Sequence, residues 1–228
     1  MTIPLLVEYY HQYLPQLKRR RGPALQRVLE KFKKHAAQRY SEGTLQRLCK
    51  SPDAETRCAA VLGLGLLGTM ASNETLAERL HDEESQVRRF ASEALWGLWF
   101  RGDDPSLCEE LRRLVHLADR AAALAGLDAL VLKAPEFAEA YNQRAILHFR
   151  NEDYELSIAD CERVVERNPY HFGALSGMAE CYVKLRRPRA ALKAYRQAHR
   201  INPNLGNVED SIRALEAALG EEHRDDRK

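Results

Sequence analysis

Residues 138–171, AEAYNQRAILHFRNEDYELSIADCERVVERNPYH, and residues 172–205, FGALSGMAECYVKLRRPRAALKAYRQAHRINPNL, align end to end without a gap. Each carries a proline near its end, Pro169 and Pro203, and Pro135 stands the same 34 residues earlier. Within each unit apolar residues recur at three- and four-residue intervals in two runs separated by a polar turn, the pattern of a pair of amphipathic helices. A fixed period in this range predicts a helical repeat array, in which each pair buries its apolar face only against its neighbours.

Unit 138–171 resembles a tetratricopeptide repeat (TPR). Tyr141 takes the large fourth position and Ala145 the small eighth, followed by Tyr154, Ser157, Cys161, Val164 and the terminal Pro169. Unit 172–205 resembles it as well, through Leu175, Ala179, Tyr182, Ala191, Tyr195, Ala198 and Pro203. Small residues at positions eight and twenty let the two helices of a pair approach closely. Residues 104–137 fit a degenerate unit: Leu114, Ala123, Leu127, Leu130 and Pro135 match, but Leu111 is large where the family keeps a small residue. Residues 104–205 are therefore expected to form three TPR-like units. Residues 206–220 are expected to form a capping helix with Ile212, Leu215 and Leu219 inward, and residues 221–228 a charged, disordered tail.

Working toward the N-terminus, the period changes at Gly102-Asp103-Asp104-Pro105. Residues 41–101 hold two pairs of short and longer apolar-periodic segments. Sliding one pair onto the other by 31 residues places Arg88 on Arg57, Ala91 on Ala60 and Leu95 on Leu64. Asp82 to Leu95 resembles the acidic turn and second helix of a HEAT repeat. That resemblance implies that Arg57 and Arg88 are architectural, each pairing with an acidic turn. Residues 1–40 are expected to form a basic helical cap: an apolar stripe over residues 3–17, a break at Gly22-Pro23, and a second helix to about Tyr40. The fold class expected is all-α, a right-handed α-solenoid.

Composition agrees. Ala, Leu, Glu, Arg and Lys dominate and no stretch alternates Val, Ile or Thr with polar residues. Five cysteines lack C-x-x-C spacing and sit among apolar neighbours, as small buried hydrophobes in a reducing compartment do. The N-terminus lacks the features of a signal peptide, and no apolar run is long enough to span a membrane. A cytoplasmic protein is the expectation.

Three motifs invite a functional reading. Gly63, Gly65 and Gly68 match G-x-G-x-x-G, but that fingerprint needs a preceding strand; here the glycines interrupt a helix, so close helix packing is expected instead. The eight histidines show no metal-ligand spacing, and no nucleophile elbow or P-loop is present. No enzymatic activity, metal or cofactor is predicted. Trp96, Trp99 and Phe100 cluster on one helix and are expected in the core.

Charge is uneven. Residues 1–50 carry 11 Lys/Arg against 3 Asp/Glu, and residues 51–136 carry 9 against 15. Lys18, Arg19, Arg20, Arg21, Arg27, Lys31, Lys33 and Lys34 make a basic patch that would suit an anion or nucleic acid, although only Phe32 is near to stack on a base. The TPR resemblance implies a different site. Its groove positions five, nine, twelve and thirteen fall on Asn142, Ile146, Phe149 and Arg150, then on Ser176, Glu180, Val183 and Lys184. The clamp that some TPR proteins close on a C-terminal carboxylate is not reproduced: one register gives Cys108, Arg112, Gln143, Gly173 and Gly177, the other Asn142, Ile146, Gly177, Asn207 and Ser211. The function expected is non-enzymatic protein–protein interaction, with a protein or peptide partner on the concave face. Nucleic-acid binding through the N-terminal helices is the alternative.

Overall fold

The computed structural model describes residues 5–19 and 22–225, and the side chains within residues 5–13 and 22–220. Among the described residues every regular element is helical. The chain divides into two compact units, residues 1–99 and 100–228.

The first unit contains α1 (Leu5–Arg19), α2 (Gly22–Ala37), α3 (Glu42–Leu48), α4 (Ala54–Leu67), α5 (Asn73–Glu78) and α6 (Ser85–Trp99). Short 3-10 turns, Met70–Ser72 and Arg79–His81, flank α5, so that segment is an α-helix that tightens at its end. Helix α4 packs against α1, α2, α3 and α6. That position explains its nearly uniform apolar sequence, with Cys58, Ala59, Ala60, Val61 and Leu64 all buried. The glycines of the G-x-G-x-x-G stretch make the packing possible. A Cβ on Gly65 would lie 2.9 Å from Ala94 Cβ, one on Gly63 3.2 Å from a Leu45 methyl, and one on Gly68 2.6 Å from the Leu64 carbonyl oxygen. The role of Gly63 and Gly65 is steric, as expected from their place inside a helix, while Gly68 closes α4 as its C-cap. Trp99 is buried and its indole N–H donates to Asn73 Oδ1 at 2.8 Å; Trp96 lies edge-on to it at 5.0 Å.

The acidic turn before α6 does what the HEAT resemblance implies. Arg57 donates from Nε to Asp82 Oδ2 and from Nη2 to Asp82 Oδ1, both at 2.9 Å. Its Nη1 donates to the carbonyls of Ser51 and Pro52, six and five residues back. Arg88 repeats that backward reach, donating to the carbonyls of Asp82 and Glu83. Thus each arginine ties the turn before its own helix, and Arg57 also locks the turn of the following repeat.

The second unit contains α7 (Pro105–Val115), α8 (Arg120–Lys133), α9 (Ala138–Arg150), α10 (Tyr154–Arg167), α11 (Phe172–Lys184), α12 (Pro188–Ile201) and α13 (Val208–Asp225). From α7 to α13 each helix packs on the next, and α9 to α13 also share one core. The 34-residue period is visible in the backbone itself. Glu152 and Arg186, 34 apart, both take left-handed φ angles, 66° and 54°, and close the turns after α9 and α11. The small-residue expectation is met at atomic scale: Ser157 Oγ on α10 donates to the Ala145 carbonyl on α9 at 2.9 Å, which a larger side chain at either position would prevent. Asp119 caps α8 and Asp104 caps α7 ahead of Pro105.

One expected boundary is overrun. The capping helix was expected to end at residue 220, ahead of a disordered tail, but α13 continues to Asp225. Glu221, Glu222 and Arg224 are good helix formers, and nothing at Gly220 stops the ladder, so propagation carries the helix into the charged segment.

Candidate functional site

The groove residues expected from the repeat register lie on α9 and α11, which touch one another. Their placement is not uniform. Arg150, Glu180, Val183 and Lys184 are exposed, whereas Ile146, Phe149 and Ser176 are half-buried. Phe149 packs against the α9–α13 core and meets Tyr154 edge-on at 5.5 Å. Ser176 turns its hydroxyl back to the Phe172 carbonyl at 2.9 Å.

Asn142 departs from expectation. It is buried, and its amide donates to Glu139 Oε1 at 3.0 Å. It is therefore part of the fold's interior and unavailable to a ligand. The group it serves was not legible as a core element. Glu139, 1% exposed, also accepts from Gln143 Nε2 at 2.6 Å and pairs with His171 Nε2 at 3.0 Å. His171 is fully buried, and its Nδ1 accepts the Ala174 backbone N–H that begins α11. That acceptor role fixes the ring proton on Nε2, which is donated to Glu139. A carboxylate with three donors is thereby held between consecutive repeats. A Glu near the start of a helix reads from sequence as a solvated residue, and only the fold brings His171 across from 32 residues away.

A second polar tie lies beside it. Arg144 donates from Nε and Nη2 to the buried Asp160, at 2.8 and 2.6 Å, and from Nη1 to Asp128 at 2.9 Å. Those hydrogen bonds, set against partial desolvation, raise the Arg144 pKa. These contacts link α8, α9 and α10 and leave Arg144 unavailable to a partner.

Two rows of residues repeat in register along α9 and α11. Phe149 and Val183 occupy the same position of successive repeats, as do Arg150 and Lys184 beside them. Val183 is 45% exposed, among the few large apolar side chains left in solvent. Glu180 is the acid on the face, and desolvation pushes its carboxyl pKa up while Lys184 pulls it back.

The basic patch is only partly described. Arg20 and Arg21, and the side chains of Lys18 and Arg19, lie outside the described residues. On α2, Arg27, Lys31 and Lys34 are exposed and Lys33 is half-buried. Glu30 interrupts the run. Among the described residues no group of three or more His, Cys, Asp or Glu is arranged to hold a metal ion, and no helix is long and apolar enough to cross a membrane.

Comparison with known proteins places these elements. Residues 41–130 match the family model for HEAT repeats and residues 136–204 that for tetratricopeptide repeats. The HEAT match runs through α7 and most of α8, the pair assigned above to a degenerate TPR-like unit. The large Leu111 is the residue that sets that pair apart. A TPR repeat-containing protein of Rhizobium etli is 34% identical over 113 residues, covering 46% of this chain. The chain spans about half, 55%, of that relative's length. Among solved structures, the first TPR domain of Spaghetti bound to an HSP90 peptide is 20% identical, with a TM-score of 0.47 over 50% of this chain and 91% of that one. A MamA structure is 17% identical, with a TM-score of 0.45 over 74% of this chain and 90% of that one.

Proposed function

We propose that this chain, an all-α protein with HEAT repeats followed by tetratricopeptide repeats, is a non-enzymatic interaction module that holds a peptide or protein segment on the exposed α9–α11 face. The observation that carries the reading is the register of that face, an apolar lane of Phe149 and Val183 beside a basic lane of Arg150 and Lys184. Burial of an apolar side chain against Val183 supplies affinity, and the cations select for carboxylates alongside it. The buried polar ties at Glu139 and Arg144 hold the two repeats rigid, so little ordering is needed on binding.

The test uses residues whose side chains are free of the core. Asn142 and Phe149 are unsuitable, because replacing them perturbs the fold as well as the surface. The variant Arg150→Glu, Val183→Asp, Lys184→Glu changes only exposed positions. In pulldowns from native lysate at low and high salt, the wild type is expected to retain a discrete polypeptide at both, and the variant to lose it. If the variant retains the same polypeptide, the α9–α11 face is not the binding site.

A further inference from the structure

Helix α12 presents a second surface that the α9–α11 reading leaves unused. From Cys181 to Val208 the sequence contains no Asp or Glu, while between Lys184 and Arg200 it contains seven Lys or Arg. At about 100° per residue, Arg189, Lys193, Arg196 and Arg200 fall within an arc of about 60° on one side of α12 and extend about 16 Å along it. All four are exposed. The opposite side, Ala191, Ala194, Tyr195 and Ala198, is buried. The row is therefore the fully solvated side of a helix whose other side is core.

Among the described side chains, carboxylates reach only its borders. Arg196 donates to Glu216 on α13 at 2.5 Å, and Arg187, just before the helix, to Glu155 at 2.7 and 3.2 Å. Arg189, Lys193 and Arg200 form no ion pair with any described residue. Like charges three and four residues apart repel one another along a helix.

The chemistry of this side selects its partner. A protein interface needs an apolar or aromatic centre, and this row offers none. Insertion into a membrane interface needs an apolar edge beside the cations, and a single strand needs aromatic rings to stack on its bases. A rigid line of guanidinium and ammonium groups suits an anion read through charge alone, and the guanidinium fork matches phosphate. We propose that this side of α12 binds the phosphate backbone of duplex nucleic acid, without sequence preference.

The test is fluorescence anisotropy of a labelled duplex of about 30 base pairs with the full chain, titrated from about 50 to about 200 mM salt. If the three unpaired cations each neutralise one phosphate, affinity falls about 40-fold over that range. The variant Arg189→Gln, Lys193→Gln, Arg200→Gln is expected to lose the salt-sensitive binding and to keep its far-UV circular dichroism, since all three side chains are exposed. The variant Arg27→Gln, Lys31→Gln, Lys34→Gln on α2 is expected to bind as the wild type does, and two unrelated duplex sequences to bind equally. The proposal is overturned if the wild type does not bind at the lower salt or if the α12 variant binds unchanged. It is also overturned if the α2 variant is the one that fails, or if poly-glutamate of matched charge binds the α12 row more tightly than the duplex.

Discussion

Asp82→Asn removes one charge from a buried ion pair while keeping the shape of the side chain. Arg57 and Asp82 are 6% and 2% exposed at their side chains and share two hydrogen bonds of 2.9 Å. Breaking a buried pair of this kind costs about 3–5 kcal/mol, because the remaining charge is left without its counter-ion. Arg57 keeps two backbone carbonyls and the solvent-exposed Glu83, so the lower end, about 3 kcal/mol, is expected. In urea, with a slope of about 2 kcal/mol per molar, the midpoint of the first unit falls by about 1.5 M. The two tryptophans of the sequence, Trp96 and Trp99, both sit on α6, so tryptophan fluorescence, excited at a wavelength where tyrosine does not absorb, follows this unit. Acid supplies an independent check. Burial on its own would raise the Asp82 carboxyl, but hydrogen bonds from Arg57 and the Glu84 amide, with the charges of Arg57 and Arg79, hold it below the usual carboxylate range. Its folded pKa thus lies below the unfolded value of about 3.9, so its stabilisation is complete above that pH and is lost as pH falls through the folded pKa. The gap between wild type and variant stays constant from about pH 5 to 8 and closes below about pH 4. A variant within about 1 kcal/mol of wild type at neutral pH, or a gap unchanged in acid, refutes the reasoning. Arg57→Met with Asp82→Leu is expected to be more stable than either single change, since it removes both charges together.

Glu139→Gln sets an amide N–H against groups that themselves donate, and is expected to lower the stability of the second unit by about 2–3 kcal/mol, with faster amide hydrogen exchange in α9 and α11. Exchange unchanged in both helices counts against the three-donor assignment. Gly65→Ala drives a methyl onto Ala94 and is expected to destabilise the first unit by about 1–3 kcal/mol, with Ala94→Gly restoring most of the loss in urea titrations. No rescue would mean that the clash is not what the glycine avoids. Burial pushes the Cys58 thiol up to about 11 and the Cys49 thiol up to about 12, and all five cysteines are buried and free. With Ellman's reagent at pH 8 the native protein is expected to react slowly at every thiol and the denatured protein quickly at all five; a fast native thiol would contradict that burial.

The sequence by itself determined where the helices lie and how they repeat. Periodicity is a local property: three- and four-residue spacing places the apolar stripe, and the 34-residue proline spacing counts the units without reference to contacts. It also placed Arg57 and the small residues at Ala145 and Ser157, because a repeat carries its architectural residues in fixed register. Of the groove positions read from that register, Arg150, Glu180, Val183 and Lys184 are exposed. What register could not decide is which polar side chain turns inward. Asn142 occupies a groove position, yet its amide donates to Glu139, and His171 arrives from the next repeat to donate its Nε2–H to the same buried carboxylate. The same holds for Arg144, drawn inward by Asp160 and Asp128, each 16 residues away in opposite directions. Burying a charge is favourable only when its partners are already placed, and those partners are assembled by packing between repeats, so the tertiary structure alone settles which charges belong to the core and which remain to meet a partner.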